Sequence, residues 1–181
     1  MVWVLHGDEP DFCPRCGRKL DVRGTEDGPR PHCPDCDVTV YANAAVMARV
    51  LVHDENRILL IERGVGSDIG AWATPGGHVD AGETAREAAA RELEEEAGLA
   101  ADPDDLTLLS DGFLDFGADQ TYVSFNYAVD YAETTGSVDA GSDAADARWW
   151  TRNELETDLP AEKNNLRAVD TGLVFELLDA E

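Results

Sequence analysis

The chain has 181 residues, 43% of them hydrophobic, and a formal net charge of −24. That is enough apolar material for one packed domain, or one domain with a small module, and too much for a disordered chain. The charge argues against a nucleic-acid or anionic-membrane partner, and no apolar run approaches the length of a membrane span.

Residues 1–6 (MVWVLH) are too short for a signal segment and lack a basic start, so a cytoplasmic location is expected. Residues 13–36 then hold all four cysteines, as Cys13-Pro-Arg-Cys16-Gly17 and Cys33-Pro-Asp-Cys36. Two C-x-x-C turns at this separation have the spacing of a four-thiolate zinc site. The surrounding residues offer little core, so a structural Zn²⁺ is expected to stabilise them. Two disulfides are the competing reading, although nothing points to secretion; a redox C-x-x-C would be expected beside a βαβ pattern rather than among loops. His6 and His32 read as surface or loop residues, since four thiolates already complete a tetrahedron.

The boundary falls near residue 40, which gives a module at 1–40 and a main domain at 41–181. Ala44–His53 is a continuous apolar run and reads as a buried strand; Asp54-Glu55-Asn56 turns it into a second strand, Arg57–Arg63. Gly64–Gly70 is expected to be a flexible loop, and Trp72 to pack as core.

The stretch Trp72–Leu99 (WATPGGHVDAGETAREAAARELEEEAGL) organises the rest. It breaks at Pro75-Gly76-Gly77 and enters a helix expected over Thr84–Ala97, with Gly98 as its stop. Glu92, Glu95 and Glu96 at i, i+3, i+4 share one helix face, where Ala85 and Ala88 leave room around them. Leu93, Ala89 and Ala97 form the stripe facing the core, and Glu87 and Glu94 point to water. Three carboxylates in one turn repel one another unless a hard divalent cation such as Mg²⁺ or Mn²⁺ sits among them, and such ions keep positions open for phosphate oxygens.

After a turn at 101–105, strands are expected at 106–116 and 121–131, joined by 117–120. Residues 132–145 read as a mobile acidic loop, Asp146–Thr151 as a strand, Arg152–Thr157 as a short helix, and Asn165–Asp179 as a C-terminal helix.

Gly77, Glu83, Arg91, Glu92, Leu93, Glu95, Glu96, Gly98 and Leu99 fill every specified position of G-x5-E-x7-R-E-U-x-E-E-x-G-U, where U is aliphatic. Such a match arises by chance on the order of 10⁻⁸ per start point. On these residues the chain resembles the Nudix hydrolases, over about residues 40–160, and the cysteine segment resembles the zinc ribbon placed before some of them. The resemblance implies an α+β fold, an α/β/α sandwich with a mixed sheet, preceded by the ribbon.

It also implies hydrolysis of a pyrophosphate bond in a nucleoside diphosphate derivative such as ADP-ribose or NADH. Mg²⁺ or Mn²⁺ would be held by Glu92, Glu95, Glu96 and the Gly77 carbonyl. Arg91 and Glu83 would pair to fix the loop on the helix. Gly76, Gly77 and Arg63 would meet substrate; for Arg63 a surface salt bridge is the alternative. The general base would be Glu92, or an acid from a later loop among Asp115, Asp119, Asp143 and Asp146. The SQPWPFPxS signature of NADH pyrophosphatases is missing, as is the proline that often marks ADP-ribose hydrolases past the box. A nucleoside triphosphate pyrophosphatase and a non-catalytic ligand-binding regulator are the alternatives. The expected partner is a small nucleotide, and a homodimer is compatible with the family. Arg15, Arg18, Lys19, Arg23 and Arg30 make the ribbon less acidic than the rest, yet the net charge opposes nucleic acid there too. The even spread of acid fits adaptation to a high-salt cytoplasm, the plainer reading being simply an acidic protein.

Overall fold

The structure is a computed structural model and describes residues 2–6, 9–66, 68–115, 121–166 and 171–178. The chain divides into two compact units, Met1–Ala45 with Leu114–Tyr122, and Val46–Phe113 with Val123–Glu181.

The first unit contains β1 (Val2–His6), β2 (Asp21–Thr25), β3 (Gly28–Cys33) and β4 (Val38–Asn43). They form a mixed sheet in the order β1-β4-β3-β2, with β1 parallel to β4 and the other pairs antiparallel. Apart from the cysteines, its buried apolar side chains among the described residues are Val38, Val40 and Ala45.

The second sheet runs β10 (Thr107–Asp115), β11 (Thr121–Asp130), β5 (Ala45–Asp54), β6 (Arg57–Arg63), β13 (Ala144–Thr151). Two short strands attach to it, β7 (Trp72–Ala73) on β6 and β8 (Gly76–His78) on β5. A separate antiparallel pair joins β9 (Leu99–Ala101) to β12 (Thr134–Gly136). The helices are α1 (Ala85–Ala97), α2 (Arg152–Thr157) and α3 (Thr171–Leu178).

The central strands are apolar over most of their length because both faces of the sheet are covered. Val50, Val52, Leu59 and Ile61 pack with Ala88, Ala89, Leu93 and Ala97 of α1. Their neighbours Leu51, Ile58 and Leu60 face the other way and pack with Trp72, Trp150, Leu155 of α2 and Val174 of α3. The result is the expected α/β/α layering, with Trp72 in the core, its ring edge-on to Trp150 at 5.0 Å between centroids. No described helix is long and apolar enough to cross a membrane.

Helix α1 starts and stops where local chemistry directs. Thr84 caps it, its Oγ1 accepting the Glu87 N–H at 3.2 Å while Glu87 accepts the Thr84 N–H at 2.7 Å. Gly98 takes the left-handed conformation (φ +70°) that ends it, donating to the Glu94 carbonyl at 3.1 Å.

Three expectations are corrected. Residues 132–145 are not a free loop: β12 pairs along β9, and the Asp139 and Gly141 N–H groups donate to the Ala97 and Glu96 carbonyls at 3.0 and 3.2 Å. Ala88 lies in the core rather than beside the acids in open space. Glu87 is exposed, as expected, and it also closes the helix cap. Asn165 and Leu166 are not helical: the Asn165 N–H is committed to the Trp72 carbonyl at 2.9 Å and Asn164 Oδ1 takes the Leu166 N–H at 3.0 Å, and the helix described is Thr171–Leu178. The expected 117–120 connection lies outside the described residues.

Candidate active site

In the first unit the four thiols converge. The sulfurs of Cys13, Cys16, Cys33 and Cys36 all lie within 4.8 Å of one another, and Cys16 Sγ is 3.7 Å from Cys33 Sγ. A zinc tetrahedron with bonds of 2.3 Å has edges of about 3.8 Å. All four cysteines are free, so the two-disulfide alternative is overturned. The first turn closes through the Gly17 N–H to the Cys13 carbonyl at 2.9 Å, and the Arg15 N–H reaches Cys13 Sγ at 3.4 Å.

Burial works to raise the Cys13 pKa, but hydrogen bonds from the Arg15 and Cys16 backbone and from the neighbouring thiols outweigh it and bring it down to about 7. Cys36 is pushed up to about 12, first by its contact with Cys16 and then by burial. One thiolate forms readily while Cys33 and Cys36 resist ionising, which suits a donor set completed by a cation. His32 is not a surface residue: it is 5% exposed, with Nδ1 3.3 Å from Thr39 Oγ1. The side chain of His6 lies outside what is described.

In the second unit the C-terminal half of α1 faces β8. The register Ala48↔Gly77 and Arg49↔Gly76 lays the Gly-Gly strand along β5. A side chain at Gly76 would run into the Ala48 carbonyl and the Arg49 backbone; one at Gly77 would run into the Glu92 carboxylate. Glycine at 76 thus lets the strand lie against β5, and glycine at 77 leaves room for the Glu92 carboxylate beside it.

Glu96 is 4% exposed and its Oε2 accepts the Gly76 N–H at 2.8 Å. Burial raises its pKa to about 7; the charges of Glu92 and Asp143 add to this, and the Gly76 hydrogen bond opposes it. Burial also raises Glu92, against the pull of Arg91. Glu95 is the outer acid, its side chain 49% exposed.

Arg91 ties the site together. It donates to Glu83 (Nη2–Oε1 2.8 Å and Nε–Oε2 3.2 Å), to Glu92 Oε1 at 2.8 Å, to Glu95 Oε2 at 3.3 Å, and to the His78 carbonyl at 3.1 Å. Its hydrogen bond to Glu83 raises the Arg91 pKa beyond the ordinary arginine range and lowers that of Glu83. The expected pairing of Arg91 with Glu83 is present, and it extends to two further acids.

Above these side chains lies a cleft of about 370 Å³ lined by Gly76, Gly77, Glu92, Glu95 and Glu96, and also by Arg63, Ser142 and Asp143. Among the described residues Arg63 Nε is buried without a hydrogen-bond partner. Of the later acids, Asp143 lines the cleft. Asp146 is exposed on β13 opposite Glu62, its Oδ1 accepting the Ala147 N–H at 2.8 Å. Asp115 belongs to the first unit, and Asp119 lies outside the described residues.

Two features here carried a sequence signal. Arg49 is 5% exposed and its charge lowers the Glu96 pKa; a lone cation inside the run AAVMARVLVH marks a site rather than core. Thr84-x-x-Glu87 is a capping box readable from spacing alone.

Residues 43–170 match the NUDIX domain family. The chain is 33% identical over 135 residues to the mouse 8-oxo-dGDP phosphatase NUDT18, a match that spans 72% of this chain and 39% of that one. It is 43% identical over 60 residues to the ADP-ribose pyrophosphatase of Methanocaldococcus jannaschii, spanning 33% of this chain and 36% of the relative. A NUDIX hydrolase from Nitrosomonas europaea has the same fold, with a TM-score of 0.66 and 24% identity over 93% of this chain and 90% of its own. A helix of acids beside a Gly-Gly strand could be built on many scaffolds, but the family match runs from the end of β4 past α2, and this chain belongs to the NUDIX domain family.

Proposed function

We propose that the second unit hydrolyses a pyrophosphate bond in a nucleoside diphosphate derivative, with Mg²⁺ or Mn²⁺ held by Glu92, Glu95, Glu96 and the Gly77 carbonyl. The observation that carries this is the inward turn of Glu92 and Glu96 onto the Gly76–Gly77 strand, at the floor of an open cleft. A merely solvated acidic helix would leave both in water. The donor set fits a hard cation: oxygens alone, with two carboxylates buried beyond what Arg91 neutralises. When bound, such ions neutralise charge on the bridging and leaving oxygens of the phosphates.

The chain's own residues do the rest. Arg91 and Glu83 hold the loop before α1 against the helix and keep Glu92 in place. Arg63, whose buried Nε faces no protein acceptor among the described residues, supplies a donor for a phosphate oxygen on the cleft wall. Two named relatives act on 8-oxo-dGDP and on ADP-ribose, and a nucleoside diphosphate is the unit these share. ADP-ribose, NADH or a similar compound remains the favoured substrate, and a nucleoside triphosphate the alternative. Residues 1–40 act as a zinc ribbon, with Cys13, Cys16, Cys33 and Cys36 as ligands, and 41–181 as the hydrolase domain.

The test is a panel of ADP-ribose, NADH, 8-oxo-dGDP and dGTP with Mg²⁺ or Mn²⁺. Turnover of at least one diphosphate-bridged compound is expected, with Glu92→Gln and Glu96→Gln each lowering it at least about 100-fold. Full turnover in both variants would remove the site.

A further inference from the structure

The acid-lined cleft of about 370 Å³ has to hold the diphosphate and its cations, so a group carried beyond the bridge needs further room. A second cavity, of about 410 Å³, lies between the loop after β6 and the segment after α2. Asp68, Ile69 and Ala71 line one side of it, and Ala161, Lys163 and Asn165 the other.

The two cavities share the end of β6. Ile61 packs toward α1 and Leu60 toward α2 and α3, so alternation along the strand sends Arg63 to the α1 face and Glu62 to the opposite one. Arg63 lines the cleft, and its N–H donates at 2.9 Å to the carbonyl of Ala71, which lines the second cavity. The far wall is tied to the core, since the Asn165 N–H donates to the carbonyl of buried Trp72 at 2.9 Å. Gly70 (φ +81°) keeps the space between the walls clear. A side chain there would begin 3.5 Å from Glu62 Oε1 and 3.8 Å from Lys163 Nζ. Among the described residues, neither of these two groups is taken up by an ion pair.

Resting on the hydrolase reading above, we infer that this second cavity takes a sugar on the far side of the bridge, with Glu62 and Lys163 on its hydroxyls, so that the substrate is a nucleoside diphosphate sugar. A hydroxyl both donates and accepts, and a carboxylate acceptor facing an ammonium donor satisfies both roles. A nucleobase would be held by stacking on an aromatic face, and no aromatic residue is among those that line the cavity. A further phosphate would meet the carboxylates of Asp68 and Glu162 there, which repel it. The sugar thus binds on one side of β6 while the bridge lies on the other, beside the acids of α1.

The experiment uses the full chain with Mn²⁺ and two substrates: ADP-ribose, and the β-methyl ester of ADP, which keeps the bridge but lacks the sugar. Lys163→Met and Glu62→Gln should each raise KM for ADP-ribose about 10- to 100-fold and leave kcat within threefold, because these contacts are the same before and during the reaction. Ala161→Phe, which fills the cavity, should do the same. For the methyl ester all three variants should keep the wild-type KM within twofold. Lys19→Met removes the other lysine of the chain, in the first unit, and should leave both substrates unchanged. An unchanged KM for ADP-ribose in the three cavity variants overturns the inference and leaves the hydrolase reading standing. So does an equal rise for both substrates, or a wild type that turns over 8-oxo-dGDP or dGTP but not ADP-ribose. A wild type inactive on every compound overturns the hydrolase reading, and this inference with it.

Discussion

The two units are stabilised by opposite means. In the second, β5 and β6 bury aliphatic side chains on both faces, against α1 on one side and α2 and α3 on the other. Each such side chain contributes about 1.5–3 kcal/mol, so the sheet needs no ligand to hold it. In the first unit Val38, Val40 and Ala45 are the buried apolar side chains among the described residues, beside Cys13 and Cys33. That is too little to offset the ordering of residues 9–45, at about 1–2 kcal/mol per residue. There the four sulfurs take the place of a core. The second unit reverses the logic at its cleft: Glu92 and Glu96 are buried against the interest of stability, and the apolar sheet tolerates it. On the proposed reading a cation would hold one region together and relieve the other.

The largest effect that could break this comparison is removal of the proposed zinc. A structural zinc contributes about 10 kcal/mol or more to a small site. Stripping it with a chelator, or substituting Cys33→Ser, should release amide protection across residues 9–43 in hydrogen exchange, while α1, β5 and β6 keep theirs. Unchanged protection in the first region would mean that something other than metal orders it. Metal analysis of the purified chain should find one zinc per molecule.

Next in size is the cost of burying Glu96. An unfolded glutamate ionises near pH 4.3, whereas burial holds the folded one protonated up to about pH 7. Between these values the unfolded state releases a proton that the folded state keeps, so stability falls as pH rises through the window, and the full cost is present above pH 7. It is on the order of 3 kcal/mol. Without Mg²⁺ or Mn²⁺, Glu96→Gln should therefore be more stable than the wild type at pH 8 and equal to it near pH 4, read from urea midpoints. Adding the cation should raise the wild type alone. A variant less stable at pH 8 would show that the carboxylate supports the fold, and the contrast between the units would lose its second half.

What was legible in the sequence follows from range. The box acids, the helix with its glycine stop and the cysteine turns are local patterns, fixed by a 3.6-residue period or by a two-residue spacing. The apolar runs of β5 and β6 gave the hairpin for the same reason. The strand Thr134–Gly136 was not legible: it is three residues long, shows no alternation, and exists because Leu99–Ala101 lies ready to pair with it. The fastening of Asp143 to α1 runs through backbone groups, which every residue type carries, so its place on the cleft could not be told from that of Asp146. His32 failed differently, since its burial depends on Thr39 across a strand pair.

The smallest expected effect tests whether the acids are positioned by the helix start or by the core. Thr84→Ala removes the side chain that accepts the Glu87 N–H and should cost about 1 kcal/mol, lowering Tm by about 2–4 °C. Glu83 adjoins it, but Glu83 is held independently by Arg91 and by the Asp80 N–H at 2.7 Å. The cleft lies at the far end of α1, where Leu93 and Ala97 are fully buried. Activity and zinc content should therefore stay at wild-type values while Tm falls. If kcat falls with it, the first turn transmits to Glu92 and Glu96, and the sheet packing beneath them is not what fixes their reach. Thr151→Ala, which breaks the same box at the start of α2, is the control: it removes an equivalent cap from a six-residue helix that carries none of the cleft acids, so a matching loss of kcat there would point to global destabilisation rather than to displaced carboxylates.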